Sequence, residues 1–341
     1  MKPRSAPDTD ECRICLSRRR RRWITARGKD DEPWCATQCA PNPPYALLRG
    51  QCRSTRKRYA EPMNYEQRIV AFIDILGFRA LLDETISKDG ADISSRIDEV
   101  VRAYESIREI WDLDKKSESL SPSTHNPKQV TIFSDSIVVS FKAEEPSEVF
   151  FTLLEIKWLI MRLLNHRILC RGAVTLGKLI HKNEYIFGPA LVEAYTLESR
   201  AALYPRVILD RNIVEAGATF KSKDHTSKQE LEYVESLLER DSDGMYYVDY
   251  FYKAQSELND PDYDFPAYIQ NLGEIIRKGL MGSSHHSKAD LRVKYSWMRE
   301  RYNKMIEKVT NKEAIKALKS AGEIDLADFY SDLKKISPGK P

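Results

Sequence analysis

Two aspartates stand where ordinary packing would not put a carboxylate. Asp74 interrupts the apolar run from Ile69 to Phe78, with Phe72 and Ile73 before it and Ile75 and Leu76 after it. A buried, ionised and unpaired carboxylate carries a large desolvation cost, so something must compensate it. Asp135 repeats the anomaly 61 residues later, in Ser134-Asp135-Ser136 between the apolar runs of Val130 to Phe141. Two acids arriving from adjacent strands repel each other. A divalent cation between them removes that repulsion and offers positive charge to phosphate oxygens. Hard oxygen ligands without a neighbouring His or Cys favour Mg2+ or Mn2+ over zinc. A cap or a turn explains either aspartate alone equally well, whereas the pair points to the metal. The turn Ile75-Leu76-Gly77-Phe78 adds consecutive backbone N–H groups leading into a helix, a cradle suited to a triphosphate.

Those groups need a scaffold, and the hydrophobic spacing supplies one. The run from Ile69 predicts a core strand opening into a turn at Gly77. Residues 79–112 carry helical spacing broken near Gly90, 117–127 reads as a loop, and Val130 to Phe141 predicts a hairpin with an acidic tip. An amphipathic helix over 147–166, a strand over 171–179, a turn at 185–189, a helix over 190–202 and a strand over 204–210 follow. That order predicts an α+β fold, a mostly antiparallel sheet with helices covering one face. Helical periods over 229–240, 265–279 and 286–309, with a short strand at Met245 to Val248, predict a helical C-terminal lobe. The expected division is an extension over 1–62, a catalytic domain over 63–218 and the lobe over 219–341.

Charge separates the extension from the rest. The net charge of +3 hides 15 Lys and Arg against 7 Asp and Glu within residues 1–62, so the remainder is acidic. With the block Arg18 to Arg22, Pro-rich text at 41–44 and no sustained period, this part reads as a disordered basic tail, without the interleaved aromatics of a specific nucleic-acid surface. Met63 stands directly before the first patterned segment, where translation could equally begin. Cys12 and Cys15, then Cys35 and Cys39, superficially fit a four-cysteine zinc site, but the Arg-rich flanks lack the short strands of a zinc ribbon. Cys170 alone follows Met63, which excludes a disulfide framework for the main domain. The longest apolar stretch, Val149 to Leu164, is broken by Glu155, Lys157 and Arg162, so no membrane span is expected, and the expected compartment is the cytoplasm.

Phe72-Ile-Asp74-Ile-Leu-Gly77-Phe78 resembles the first-strand motif of class III nucleotidyl cyclases. Arg171-Gly-Ala-Val-Thr-Leu-Gly177 and Gly188-Pro-Ala-Leu-Val-Glu-Ala-Tyr195-Thr-Leu-Glu198 are similar to that family's fourth strand and following helix. The resemblance spans about residues 66 to 215 and extends to the pyrimidine cyclases of Pycsar antiphage systems. There the Ser134-Asp135 tip, the Tyr204-Pro205-Arg206 segment and the Lys294-Tyr295-x-Trp297 stretch are similar. It implies a ferredoxin-like sheet and cyclisation of UTP or CTP to a 3′,5′-cyclic messenger for a separate effector. Two Mn2+ or Mg2+ ions would be held by Asp74, Asp135 and the Ile75 carbonyl. A head-to-tail homodimer would place nucleotide contacts at Phe72, Ile75, Leu76, Gly77, Phe78, Arg171, Tyr195 and Arg206. The sequence departs from purine cyclases where they carry a base-reading Lys, here Thr131, and where they carry an Asn and an Arg, here near Val192 and Thr196. Two alternatives remain: an unusual adenylate or guanylate cyclase, and a catalytically silent nucleotide-sensing or scaffold module.

Overall fold

The computed structural model describes residues 64–111, 128–182 and 185–338. The basic extension, its four candidate zinc cysteines and the loop expected at 117–127 lie outside the described residues. Everything below belongs to one compact unit, Ala60–Pro341.

The first strand, β1 (Glu66–Leu76), starts three residues earlier than its apolar run and ends where Gly77 turns the chain with φ of 76°, a conformation that favours glycine. Short α1 (Phe78–Asp83) and α2 (Ser94–Ile110) lead to the hairpin β2 (Gln129–Phe133) and β3 (Ser136–Lys142). After α3 (Glu148–Asn165) comes β4 (Leu169–Lys182). These strands lie in the order β2-β3-β1-β4, all antiparallel, with α2 and α3 providing the crossovers: the βαββαβ arrangement of a ferredoxin-like sheet. Ile69, Ala71, Ile73 and Ile75 face the helical layer, where α3 contributes Leu153, Ile156, Leu159 and Ile160.

The opposite face of β1 carries Val70, Phe72 and Asp74. Across it lies α4 (Pro189–Arg200), reached through β5 (Tyr185–Phe187), a strand paired with β4 where a turn was expected. Ala190 and Ala194 pack there on Val70, Val138 and Leu179, and the Thr175 hydroxyl donates to the Ala190 carbonyl at 2.9 Å. Small residues let α4 approach closely, which brings its C-terminal end towards Asp74.

The sheet crosses the boundary expected near residue 218. Beside β4 runs parallel β6 (Val207–Leu209), then, after α5 (Arg211–Thr219) and α6 (Ser227–Ser236), antiparallel β8 (Tyr246–Val248) and β7 (Leu238–Arg240). The helical period over 229–240 therefore ends early, its last residues forming β7. A short 3-10 turn over Tyr252–Glu257 and helices α7 (Pro261–Gly282), α8 (Ala289–Val309), α9 (Lys312–Ala321) and α10 (Ile324–Asp332) follow. Lys157 of α3, fully buried, meets Glu257 at 3.0 Å and ties that turn to the central layer.

Candidate active site

Asp74 and Asp135 converge. Asp74 is paired in register with Ser136, the residue after Asp135, and the Ile75 N–H donates to the Asp135 carbonyl at 2.9 Å. The hairpin tip is pinned a second time: the Tyr104 hydroxyl of α2 donates to the carbonyl of Ser134, whose φ is 52°. Two anchors from separate elements thus set where the Asp135 carboxylate sits. Tyr104 carries no signal of this role in the sequence, since it reads as one more apolar position of a helix.

Across the sheet, Arg171 of β4 pairs in register with Asp74. Its Nε lies 3.7 Å from Asp74 Oδ2 and 2.5 Å from Oε1 of Glu198, a buried residue near the end of α4. Between them, Gly172 makes the approach possible, because a Cβ there would come within 2.5 Å of the Phe72 carbonyl oxygen. Glu198 and Asp74 thus share one guanidinium.

The fields of these groups shift their acidities. Burial pushes the Asp74 carboxyl above its ordinary range, the charge of Asp135 pushes it further, and Arg171 and Lys294 pull it back. Glu198 is also held high, by burial first; Arg171 opposes that, while Asp74 and Asp135 add to it. An excess of negative charge in a half-buried pocket is the condition that a bound cation relieves. Glu198 Oε1 is buried and committed to the ion pair with Arg171 Nε, whose geometry is not that of a well-aligned hydrogen bond. Among the described residues no three His, Cys, Asp or Glu side chains converge tightly enough to hold an ion by themselves. An ion here would rest on Asp74 and Asp135, with backbone, solvent or phosphate oxygens filling the remaining positions. The donor set is all hard oxygen, which fits Mg2+ or Mn2+.

The other expected contacts divide. Leu76, Gly77 and Phe78 form the turn beside Asp74, and Phe78 packs edge-on against Tyr104 at 6.3 Å. Ile75 points its side chain into the core, leaving only its backbone to the site. Phe72 and Tyr195 meet edge-on at 5.5 Å on the α4 face, and Tyr195 is 56% exposed. Arg206 requires correction. It is fully buried, bound to Asp241 and Asp243, and flanked by the rings of Tyr204 and Trp297, so its charge serves an internal ion cluster and does not face a nucleotide phosphate. An Arg at the start of a strand looks the same in sequence whether it is clamped or exposed; the partners come from residues 35 and more positions away.

A buried polar chain runs along the Asp74 face, from Thr131 at the level of Phe72 back to Arg68. Arg68 Nε donates to Ser140 Oγ at 2.9 Å, and His181 bridges Ser140 Oγ and Thr131 Oγ1, both at 2.8 Å. Neutral His181 donates through one ring nitrogen and accepts through the other, so one of the two hydroxyls gives it a proton and the other receives one. Burial and the neighbouring Arg68 charge push the His181 pKa down to about 4 from 6.5. The unfolded chain therefore takes up a proton between those values while the folded chain does not, so stability is full above about pH 6.5 and falls as pH drops towards 4. Urea unfolding at pH 7 and pH 5 is expected to show about 2 kcal/mol of His181-dependent loss, absent in His181→Gln. Equal pH slopes for the two proteins would refute it.

No protein-family model matches the sequence, and no curated protein matches it. Among solved structures, a class III adenylyl cyclase-like ATP-binding protein from Pseudomonas aeruginosa aligns at 13% identity and a TM-score of 0.29, over 52% of this chain and 47% of that one. The chain thus spans about half the length of that structure. A superposition that loose carries no weight for the site; the α+β architecture stands on the strand order and registers given above. No helix among the described residues is long and apolar enough to cross a membrane.

Proposed function

We propose that the chain is a nucleotidyl cyclase of the class III type, converting UTP or CTP to the 3′,5′-cyclic nucleotide and pyrophosphate. The carrying observation is the meeting of Asp74 and Asp135 at one edge of the β1 turn, where burial first and the second charge after it hold the Asp74 carboxyl above its usual range. The β2-β3-β1-β4 order and the motif resemblance in the sequence support the same reading.

In the reaction the ribose 3′ oxygen attacks the α-phosphorus, its proton passes to solvent, and the bond to the β-phosphate oxygen breaks to release pyrophosphate. Two divalent cations on Asp74, Asp135 and the Ile75 carbonyl would supply the charge that eases loss of the 3′ proton and departure of pyrophosphate. Asp74 and Asp135 fix those charges in place, the Gly77 turn presents N–H groups, and Arg171 stands beside them for the phosphate. Thr131, bearing a hydroxyl and no cation, supports a pyrimidine over a purine base. Phe133, opposite Ser136 at the hairpin tip, and Tyr195, against Phe72, are 78% and 56% exposed and fit a second copy of the chain. The product would act on a separate effector in antiphage defence.

One observation favours a second reading. Arg171 is already engaged by Glu198, as suits a module that binds nucleotide without turning it over. Incubation with each of four radiolabelled nucleoside triphosphates and Mn2+ separates the possibilities. The expected result is a phosphatase-resistant product from one pyrimidine triphosphate only. A purine product would identify a purine cyclase, and nucleotide binding with no pyrophosphate released would favour the silent module.

A further inference from the structure

The polar chain of Arg68, Ser140, His181 and Thr131 has one open end. Arg68, Ser140 and His181 are buried, whereas Thr131 is only half-buried and its hydroxyl meets no other side chain among the described residues. The strand registers place that hydroxyl. Thr131 stands opposite Val138, and Val138 opposite Phe72, so the three share one row and one face of the sheet. The next row on that face holds Phe133, Ser136, Asp74 and Arg171. Thr131 therefore lies about 7 Å along the strand from the row of Asp74, on the strand that leads into the Asp135 tip. The rings of Phe72 and Tyr195 flank its row. That offset matches the reach from the α-phosphate of a nucleotide to its base. His181 arrives from the far end of β4, which parts from β1 after Leu179 and pairs with β5, whose Ile186 packs on the cluster of Val70 and Val138. The ring is pinned from behind as well: Ser140 Oγ holds Nδ1 at 2.8 Å, and Arg68 grips Ser140 through both its hydroxyl and, at 3.0 Å, its carbonyl.

We infer that His181 is a positioning residue for base selection: it fixes the hydrogen-bonding sense of the Thr131 hydroxyl, so that the site takes one of uracil and cytosine and refuses the other. This rests on the nucleotide reading above and deepens it. A threonine hydroxyl left to itself rotates, donating to one ligand and accepting from another, and would serve either base. Bound to a ring nitrogen at 2.8 Å it no longer turns freely. A bare nitrogen takes the hydroxyl hydrogen and leaves only lone pairs for a ligand; a protonated one takes a lone pair and frees the hydrogen to donate. Ser140, itself clamped by Arg68, holds the other nitrogen and keeps the ring in one of these states. The two pyrimidines are inverted along the edge such a hydroxyl reads. Uracil offers an N3–H donor and an O4 acceptor where cytosine offers an N3 acceptor and an N4–H2 donor. A hydroxyl of fixed sense bonds to one base and leaves a group of the other unsatisfied, a mismatch that costs about tenfold in binding. An apolar side chain at 181 would fill the same space without burying an imidazole; what the imidazole adds is direction.

The test compares UTP with CTP, in equilibrium binding and in turnover with Mn2+, for the full chain as wild type, His181→Phe, Ser140→Ala and Thr131→Val. Thermal melting runs in parallel. Wild type is expected to favour one of the two nucleotides by about tenfold or more. His181→Phe removes the hold on the hydroxyl, Ser140→Ala frees the imidazole to exchange its protonated nitrogen, and Thr131→Val removes the hydroxyl while keeping its shape. Each is expected to bring the ratio to within about threefold of unity. The ratio separates this role from a structural one, because lost stability lowers activity on both nucleotides together. A wild-type ratio near one would overturn the inference, and so would a wild-type ratio kept by His181→Phe or, should that variant not fold, by Ser140→Ala. Cyclic product in either case leaves the cyclase reading intact. His181-dependent selectivity in binding with no cyclic product would leave the inference standing and overturn the cyclase reading. A wild-type protein that binds neither nucleotide would end both.

Discussion

Asp74→Ala is expected to lose at least about 100-fold to 1000-fold in turnover, the loss that follows removal of one preorganised electrostatic stabiliser. Retention of more than about a tenth of wild-type turnover with the same metal is incompatible with a catalytic Asp74. The conservative change is more discriminating. Asp74→Asn keeps the shape and removes the charge that burial and Asp135 make costly. Its sign can be worked out. The folded carboxyl holds its proton to higher pH than the unfolded one, so the folded state binds more protons across that window and loses stability as pH rises through it. At neutral pH without metal, Asp74→Asn is therefore expected to melt above wild type. Mn2+ should raise the melting temperature of wild type by mass action and leave Asp74→Asn unmoved. Equal stabilisation of both proteins by Mn2+ would place the cation elsewhere.

Arg206→Ala is expected to cost stability and spare the chemistry. Its guanidinium is buried between Tyr204 and Trp297 and binds Asp241 and Asp243, while Asp241 also receives Arg301 and the Trp297 indole. Breaking a buried ion pair from one side typically costs about 3–5 kcal/mol, because the remaining charge stays desolvated. Arg301 and Trp297 still serve Asp241 in the variant, which places the loss at the lower end, a melting temperature reduced by roughly 6 °C or more. Turnover and KM measured well below that temperature should remain near wild type. A raised KM with unchanged melting would instead put Arg206 at the phosphate.

Much of the fold was legible because its central pieces carry long, uniform patterns. The unbroken apolar residues of β1, the paired runs of the hairpin and the apolar stripe of α3 each bury a face that only one layer arrangement satisfies. The missed elements are short. β5 and β7 have three residues each, too few to alternate visibly, and they exist because a neighbour's backbone pairs with them. Helices α5, α9 and α10 span nine or ten residues, fewer than three turns, which leaves too few periods to mark a helix by pattern alone. The site followed the same logic. Asp74 and Asp135 declared themselves as charges inside apolar text. Glu198 sits on a helix, where a charged residue is ordinary, and only tertiary placement brings it onto Arg171 beside Asp74. Arg206 was misassigned because its partners lie in a hairpin and a helix distant in the chain.

The cluster around Arg206 also bears on how such a gene can change. Excising or swapping the last third of the coding sequence would strand a guanidinium in an apolar hollow and strip β8 from the short edge presented by β6. An uncovered edge of that kind invites self-association before any loss of catalysis is felt. Shuffling of this region between lineages is thereby penalised at the level of folding, and drift on either side of the clasp has to proceed in step with the other.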